Sequence, residues 1–180
     1  MKNVFIALIL LIGTTSHAQI SRVSLQASGL TCSMCSKAVK TALEGVSFVE
    51  KVQVDIKSQQ YNLSFKEAVT VDLDALNKAV QDAGFSIAVL KVTASVPEKK
   101  LQKDEHITIG NQVFHFLNGA DKTLPASVTF SVVDKGFVSA KEAKKYAAMS
   151  KMTCVQTGRM AKCCTGDEST KDSRIYHVII

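Results

Sequence analysis

The stretch that decides the fold reads Gly29-Leu30-Thr31-Cys32-Ser33-Met34-Cys35, followed at once by Ser36-Lys37-Ala38-Val39-Lys40-Thr41-Ala42-Leu43. Apolar residues recur at helical spacing from Cys35 to Leu43, which predicts an amphipathic helix with Cys32 in the preceding loop and Cys35 in the first turn. The positive end of a helix dipole lowers the pKa of a nearby thiol. Two such sulfurs on a loop could bind a soft metal ion or act as a dithiol redox couple.

The first eighteen residues have the pattern of an export signal. Lys2 precedes an apolar run from Val4 to Ile12, and Ser16-His17-Ala18 ends in a small residue suited to cleavage before Gln19. This run is too short to span a bilayer, which needs about 20 apolar residues. We therefore expect a periplasmic or secreted protein with no membrane segment after signal removal. An uncleaved membrane anchor is the alternative.

Length and charge narrow the class of protein. The chain has 180 residues, enough for two small domains, with 46% apolar content and a formal net charge of +6. The basic residues are scattered, and no stripe of arginine and aromatic residues accompanies them. We therefore expect no nucleic-acid partner.

The pattern from 19 to 92 predicts strand, helix, strand, strand, helix and strand. Apolar alternation marks the strands at 23–27, 49–56, 61–65 and 85–89, and helical spacing marks the helices at 35–43 and 73–83. Gly45 is placed to end the first helix, and Asp72 is placed to cap the second. This order predicts an α+β fold, the ferredoxin-like βαββαβ sandwich with both helices on one face of an antiparallel sheet.

Residues 21–92 resemble the heavy-metal-associated domain family, the module of copper chaperones, of copper-pumping ATPases and of the periplasmic mercuric-ion binding protein. The family usually has Gly-Met-Thr-Cys-x-x-Cys, and Leu30 stands here at the methionine position with a similar apolar volume. The resemblance implies two metal ligands, Cys32 and Cys35. It also implies three residues that support the metal loop: Leu30, Thr31 and Phe85. An ordinary core position is the alternative for Phe85.

Coordination chemistry favours a soft, low-coordinate ion at two sulfurs. Two thiolates do not complete the tetrahedral shell of a structural zinc site, whereas Cu(I), Hg(II) and Ag(I) suit a two-sulfur loop. We expect Cu(I), with Hg(II), Ag(I) and Zn(II) as alternatives. The expected function is that of a metallochaperone that receives metal from, or passes it to, a partner protein such as a copper-exporting pump.

This interpretation predicts a metal carrier and not an enzyme. The rivals are a periplasmic thiol-disulfide oxidoreductase, a plain disulfide between Cys32 and Cys35, and a metal-responsive sensor or interaction protein. The oxidoreductase is disfavoured because thioredoxin-like sites resemble Trp-Cys-x-x-Cys, and this chain has no tryptophan.

A second domain is expected at 105–180, after a polar linker at 93–104 that few contacts should cross. Strands are predicted at 106–109, 112–116, 127–133 and 176–180, the first two joined by a hairpin turn at Gly110-Asn111. Ser139 and Glu142 form a capping box before a helix. These elements predict a small β-rich domain resembling the oligonucleotide/oligosaccharide-binding (OB) barrel, with a plain α+β sandwich as the alternative.

Three further cysteines lie near the end of the chain: Cys154, Cys163 and Cys164. Position 157 is threonine, so the Cys-x-x-Cys motif is not repeated. We predict a disulfide from Cys154 to Cys163 or Cys164. The alternative is a second soft-metal site, helped by one of three methionines: Met149, Met152 or Met160.

Three histidines lie in strand-like stretches of the second segment: His106, His115 and His177. The residue pattern alone assigns them no common site. They are interpreted as surface residues or as paired residues, on the argument that nothing fixes their mutual spacing.

Overall fold

The computed structural model describes residues 18–161, 164 and 172–180. The predicted export signal, apart from Ala18, lies outside the described residues, and so does Cys163. Within the described part of the chain, no helix combines the length and the apolar character needed to cross a bilayer.

The described chain alternates strands and helices in its first half and is richer in strands in its second. The first half comprises β1 (Gln19–Ser28), α1 (Ser33–Glu44), β2 (Val49–Asp55), β3 (Gln60–Phe65), α2 (Leu73–Asp82) and β4 (Ser86–Ser95). The second comprises β5 (Lys99–Lys100), β6 (Glu105–Ile109), β7 (Gln112–Phe116), β8 (Thr123–Leu124), β9 (Ser127–Val132), α3 (Ala140–Ala147), α4 (Thr153–Thr157) and β10 (Ile175–Ile179).

The first half has the predicted ferredoxin-like topology. Its strands lie in the order β2-β3-β1-β4, and all three pairings between them are antiparallel. Alternate residues of β1, including Val23 and Leu25, are fully buried beneath the helices, as the period of a half-buried strand requires. Gly45 ends α1, and the Asp72 carboxylate caps α2 by accepting from two backbone N–H groups.

The second half extends the first sheet instead of forming a separate layer. Strand β4 pairs with β9 over six residues, from Leu90–Val132 to Ser95–Ser127. The resulting sheet has the order β2-β3-β1-β4-β9-β10-β7-β6. The linker expected at 93–104 therefore begins inside a strand, because Thr93 to Ser95 hydrogen-bond on both sides, and many contacts cross from one half to the other.

The OB-like barrel is not confirmed for the second half. Four of its strands continue an open sheet in which β10 runs parallel to β7, while β9 and β6 pair antiparallel to their neighbours. The short strands β5 and β8 pair with each other in a separate two-stranded sheet. The predicted hairpin at Gly110-Asn111 and the capping box of Ser139 and Glu142 are both present. The four longer strands and α3 were therefore predicted, whereas β5, β8, α4 and the assembly of the sheet were not.

One apolar core lies under both halves. It contains Leu25, Leu43 and Leu76 from the first half together with Phe114 and Phe130 from the second. The Phe114 and Phe130 rings meet edge to face with centroids 5.2 Å apart. Burial of apolar surface against this common core makes the two halves one packing unit.

The opposite face of β7 and β10 carries a second, smaller cluster. Side chains alternate along a strand, so Phe114 points to the main core while Val113 points to the other face. Val113 packs there with Ile175, Met160 and the Cys154 side chain of α4. This face brings the C-terminal cysteines close to the histidines of the sheet.

Candidate metal centres

Cys32 and Cys35 stand at the N-terminus of α1, as the sequence predicts. Cys32 is the N-cap residue with extended backbone (φ −154°, ψ 165°), and its Sγ accepts a hydrogen bond from the Cys35 backbone N–H at 3.4 Å. A sulfur thus fills the place that a serine or aspartate oxygen usually takes at a helix start. Both sulfurs therefore lie at the positive end of the helix dipole.

The two sulfurs face each other at the surface. Their Sγ atoms are 2.9 Å apart and share a hydrogen bond; Cys32 is exposed and Cys35 is half-buried. The hydrogen bond with the Cys32 thiol, followed by hydrogen bonds from Thr31, lowers the pKa of the Cys35 thiol. A thiolate at Cys35 is the form that binds a metal ion.

An ion between these sulfurs requires the loop to open. With metal–sulfur bonds of about 2.3 Å, a linear two-coordinate ion needs sulfurs about 4.6 Å apart. The required separation exceeds the 2.9 Å observed between the two Sγ atoms, so the sulfurs must move apart by about 1.7 Å. Cys32 can supply it because it precedes α1 and its side chain is exposed.

The loop rests on apolar side chains of the first half. Gly29 has φ +85°, and a Cβ built at that position would lie 3.9 Å from the Phe85 ring. Leu30 and Phe85 are both half-buried and pack against the main core. Phe85 is therefore part of the core and also lies beneath the start of the metal loop, so the two interpretations of this residue are compatible.

A second group of potential ligands lies on β6, β7 and β10. His106 pairs directly with His115 in the hairpin, and His115 pairs with His177 in the parallel ladder. The three rings form a row across adjacent strands: the His106 and His115 rings stack at 4.4 Å, and the His115 and His177 centroids are 5.2 Å apart. The argument that nothing fixes their mutual spacing was therefore wrong.

Helix α4 brings Cys154 against this row. Its Sγ lies 3.6 Å from Nδ1 of His115 and 4.0 Å from Nε2 of His106. The three potential ligand atoms all lie within 4.8 Å of one another. Cys154 and His115 are fully buried and His106 is half-buried, so the cluster faces the protein interior. We refer to His106, His115 and Cys154 as the His/Cys cluster.

Asp104 orients the His115 ring of the cluster. Its carboxylate accepts a hydrogen bond from Nε2 of His115 at 3.0 Å, which leaves Nδ1 of that ring directed at Cys154. Burial, with a smaller contribution from the neighbouring His106, lowers the pKa of His115 to about 4. Burial is also the main cause of a lowered pKa at His106. Both rings are therefore neutral at pH 7 and can donate a lone pair to a metal ion.

The third histidine is tied to the first half of the protein. His177 Nδ1 lies 2.6 Å from a carboxylate oxygen of Asp134, and Arg174 contacts the same carboxylate at 3.4 Å. Arg174 also donates to Asp74 of α2 at 2.9 Å. The other ring nitrogen of His177, Nε2, is buried and has no hydrogen-bond partner among the described residues.

The remaining predicted residues lie around Cys154 to different extents. Met160 is buried in the same apolar cluster, and Met152 and Cys164 are partly buried against it. Met149 is 44% exposed. Because Cys163 lies outside the described residues, the predicted disulfide to Cys163 or Cys164 stays a prediction.

Comparison with known proteins identifies the first half. The sequence model of the heavy-metal-associated domain matches residues 24–86. The chain is 35% identical over 92 residues to the mercuric transport protein periplasmic component of Serratia marcescens, covering 51% of this chain and the whole of that protein. This chain belongs to the heavy-metal-associated domain family. The predicted resemblance at 21–92 is confirmed.

Other relatives of this heavy-metal-associated domain protein include a probable copper-exporting P-type ATPase of Archaeoglobus fulgidus, 24% identical over 80 residues, which cover 44% of this chain and 10% of the ATPase. Among solved structures, oxidized MerP from Ralstonia metallidurans is 38% identical, with 39% of this chain and 96% of that one covered and a TM-score of 0.33. The family match ends at position 86, so the His/Cys cluster lies beyond it.

Proposed function

We propose that this protein is an exported carrier of Cu(I), which it captures between Cys32 and Cys35 and passes to a partner protein. One observation carries the proposal: two sulfurs converge at the exposed N-terminus of α1, with Cys35 already biased toward the thiolate. Such a site binds a soft ion tightly and still leaves it open to a third thiolate from outside.

The site favours an ion that accepts few ligands. Beyond the two sulfurs, the nearby side chains are Thr31, Ser33 and the exposed Met34, and none of them is a preferred zinc ligand. Cu(I) and Ag(I) accept two thiolates without further donors. Cu(I) is the biological ion of this pair, and a relative of this chain is named as a copper-exporting ATPase.

Hg(II) is the second candidate cargo. Two relatives that this chain matches over their whole or nearly whole length are named as mercuric transport proteins. Hg(II) also accepts two thiolates. The two ions are distinguished by what the reduced protein retains when both are offered and by which salt induces its synthesis in the source cell.

The surroundings of the loop suit transfer between proteins. Met34 between the two cysteines is 70% exposed, and Ile56, which lines a surface groove together with Cys32, is 85% exposed. Exposed apolar side chains beside an exposed ligand pair provide a contact surface for a docking partner. We propose a metal donor or acceptor in the periplasm or outside the cell, such as a copper-exporting pump, since the N-terminal pattern predicts export and a relative is named as periplasmic.

The decisive test is a Cu(I) competition titration of the reduced protein, purified without residues 1–18, against a chromophoric Cu(I) chelator. The Cys32→Ser/Cys35→Ser double variant should lose one tightly bound equivalent relative to the wild type. Met34→Leu is the matched control: it removes a sulfur from the same loop, keeps apolar volume, and should bind as the wild type does. An unchanged stoichiometry in the double variant would contradict the proposal.

The rival functions give different results in two further assays. An oxidoreductase would catalyse insulin reduction with a potential near that of thioredoxin, and the carrier should show no such catalysis. A metal-responsive interaction protein would bind its partner in a metal-dependent way without losing its ion. A carrier should transfer Cu(I) to a Cys-x-x-Cys acceptor domain while the complex dissociates.

A further inference from the structure

We propose that His106, His115 and Cys154 form a second metal site that binds Cu(I) in the interior of the second half. The site has two nitrogen donors and one sulfur donor, unlike the two-sulfur loop at Cys32 and Cys35. It lies outside the region matched by the heavy-metal-associated domain. It therefore does not depend on the function proposed for that loop.

The spacing of the three donor atoms fits a bound ion. With metal–nitrogen bonds of about 2.0 Å and metal–sulfur bonds of about 2.3 Å, donors in trigonal or tetrahedral sites lie about 3.5–3.8 Å apart. The observed distances from Cys154 Sγ are 3.6 Å to His115 Nδ1 and 4.0 Å to His106 Nε2. The two ring nitrogens lie within 4.8 Å of each other, so the donors must approach by about 1 Å or less to complete coordination.

The donors are held in place by residues behind them. Asp104 accepts a hydrogen bond from the far side of the His115 ring, the arrangement in which a carboxylate fixes the tautomer and direction of a ligating histidine. The neighbouring His106 ring stacks on that of His115. Asp104 itself has φ +55°, a strained conformation maintained at the residue that orients the cluster.

Charge and burial favour a monovalent soft ion. A Cu(I) ion bound by one thiolate and two neutral imidazoles carries no net charge. This neutrality lowers the free energy needed to bury the ion, which matters because the ligands Cys154 and His115 are fully buried. Zn(II) with the same ligands would leave a net positive charge and would need a fourth donor to complete its tetrahedral shell. Three donors are sufficient for Cu(I).

A further buried nitrogen lies beside the cluster. Nε2 of His177 has no hydrogen-bond partner among the described residues, although the side chain is 2% exposed and its ring contacts that of His115. A buried polar group without a partner costs free energy unless something occupies the space next to it. This second observation points to a polar or metallic occupant at this end of the histidine row.

The first experiment measures stoichiometry in the full mature chain. Reduced Cys32→Ser/Cys35→Ser protein, in which the loop site is removed, should still bind one equivalent of Cu(I) in competition with a chromophoric chelator. Adding Cys154→Ala should abolish that binding. Adding His106→Asn, at the half-buried ligand, should weaken it on the order of tenfold or more. Circular dichroism and urea midpoints identify variants that lose binding through unfolding.

The second experiment identifies the donor atoms. X-ray absorption of Cu(I) bound to the double variant should show two nitrogen scatterers and one sulfur scatterer. A shell of sulfur alone would overturn the proposal and assign the ion to Cys154, Cys163 and Cys164. Absence of any bound Cu(I) in the reduced double variant would overturn it as well.

Discussion

The loop at Cys32 and Cys35 and the His/Cys cluster are built in opposite ways. The loop places two sulfurs at an exposed helix start, with one ligand outside the helix and free to move. The cluster places its three donors on two neighbouring strands and a short helix, with two of the three fully buried. The two sites therefore differ both in the type of ligand and in the exposure of the ligands to solvent.

This difference indicates a division of tasks. An exposed, low-coordinate ion can be attacked by an incoming thiolate, so the loop suits rapid exchange. A buried ion with oriented nitrogen donors must wait for the structure to open, so the cluster suits retention. Cu(I) would be a transferable cargo at the loop and a long-lived structural component at the cluster.

The most direct test of this comparison is the rate of copper loss. When a protein loaded with two Cu(I) meets excess chelator, we expect a fast and a slow phase whose rates differ by at least about a hundredfold, a barrier difference of about 2.7 kcal/mol. Stopped-flow absorbance of the chelator complex measures both. Cys32→Ser/Cys35→Ser should remove only the fast phase and Cys154→Ala only the slow one, while Met34→Leu changes neither. A single rate would abolish the comparison.

The next effect concerns the core that both regions share. Phe130 on β9 is 1% exposed and contacts Phe114 and Phe116, so Phe130→Ala should destabilise the whole chain by about 3–5 kcal/mol. Hydrogen exchange should show lost protection in α1 as well as in β7. Ser127→Ala on the same strand changes an exposed side chain and serves as the control. Loss of protection confined to the second half would mean that the halves unfold independently.

The third effect is a pH dependence that only the cluster should show. Folding lowers the pKa of His115 from 6.5 to about 4, so the unfolded chain binds a proton between these values and the folded chain does not. The stabilisation is complete above about pH 6.5 and falls as pH decreases toward 4, by up to about 3 kcal/mol. The titratable groups around the ring are Asp104, His106, Cys154 and His177.

Urea unfolding of the metal-free protein at several pH values measures this dependence. The difference between wild type and His115→Gln isolates the contribution of this ring, because carboxylates elsewhere titrate equally in both proteins. A difference that stays constant from pH 7 to pH 4 would show that His115 is not held in its neutral form.

The smallest expected effect is that of the residue behind His115. Asp104→Asn tolerates the positive φ and removes the carboxylate charge, so Cu(I) affinity at the cluster should fall by about tenfold while affinity at the loop stays unchanged. Competition titration in the Cys32→Ser/Cys35→Ser background measures the cluster alone. Asp121→Asn is a matched control, because Asp121 also has a positive φ (62°) but is exposed, pairs with Lys100 and is not part of the His/Cys cluster. Equal losses in both variants would indicate a backbone effect.

The loop could be predicted from sequence because its determinants are local. A glycine, two cysteines and the following helix lie within sixteen residues, from Gly29 to Glu44, and each is recognisable from spacing alone. The capping residues Asp72, Ser139 and Glu142 were predictable for the same reason. Short-range hydrogen bonds determine all of these features.

The histidine row was predictable in part, and the relevant signal was the hairpin. A two-residue turn at Gly110-Asn111 pairs Ile109 with Gln112. Counting three residues away from the turn on each strand therefore places His106 opposite His115. The parallel neighbour His177 and the approach of Cys154 were not accessible in this way. They depend on packing between segments separated by about forty to sixty residues, which no local pattern records.

The pairing of β4 with β9 allows the second half to cover an edge strand of the first half. In a ferredoxin-like unit with the order β2-β3-β1-β4, strand β4 would be an edge, presenting unpaired N–H and C=O groups to any passing chain. Here β9 occupies that edge from Leu90 to Ser95. A fragment cut at Val92 would expose this edge strand and invite aggregation, so β9 protects the metal-binding half from self-association.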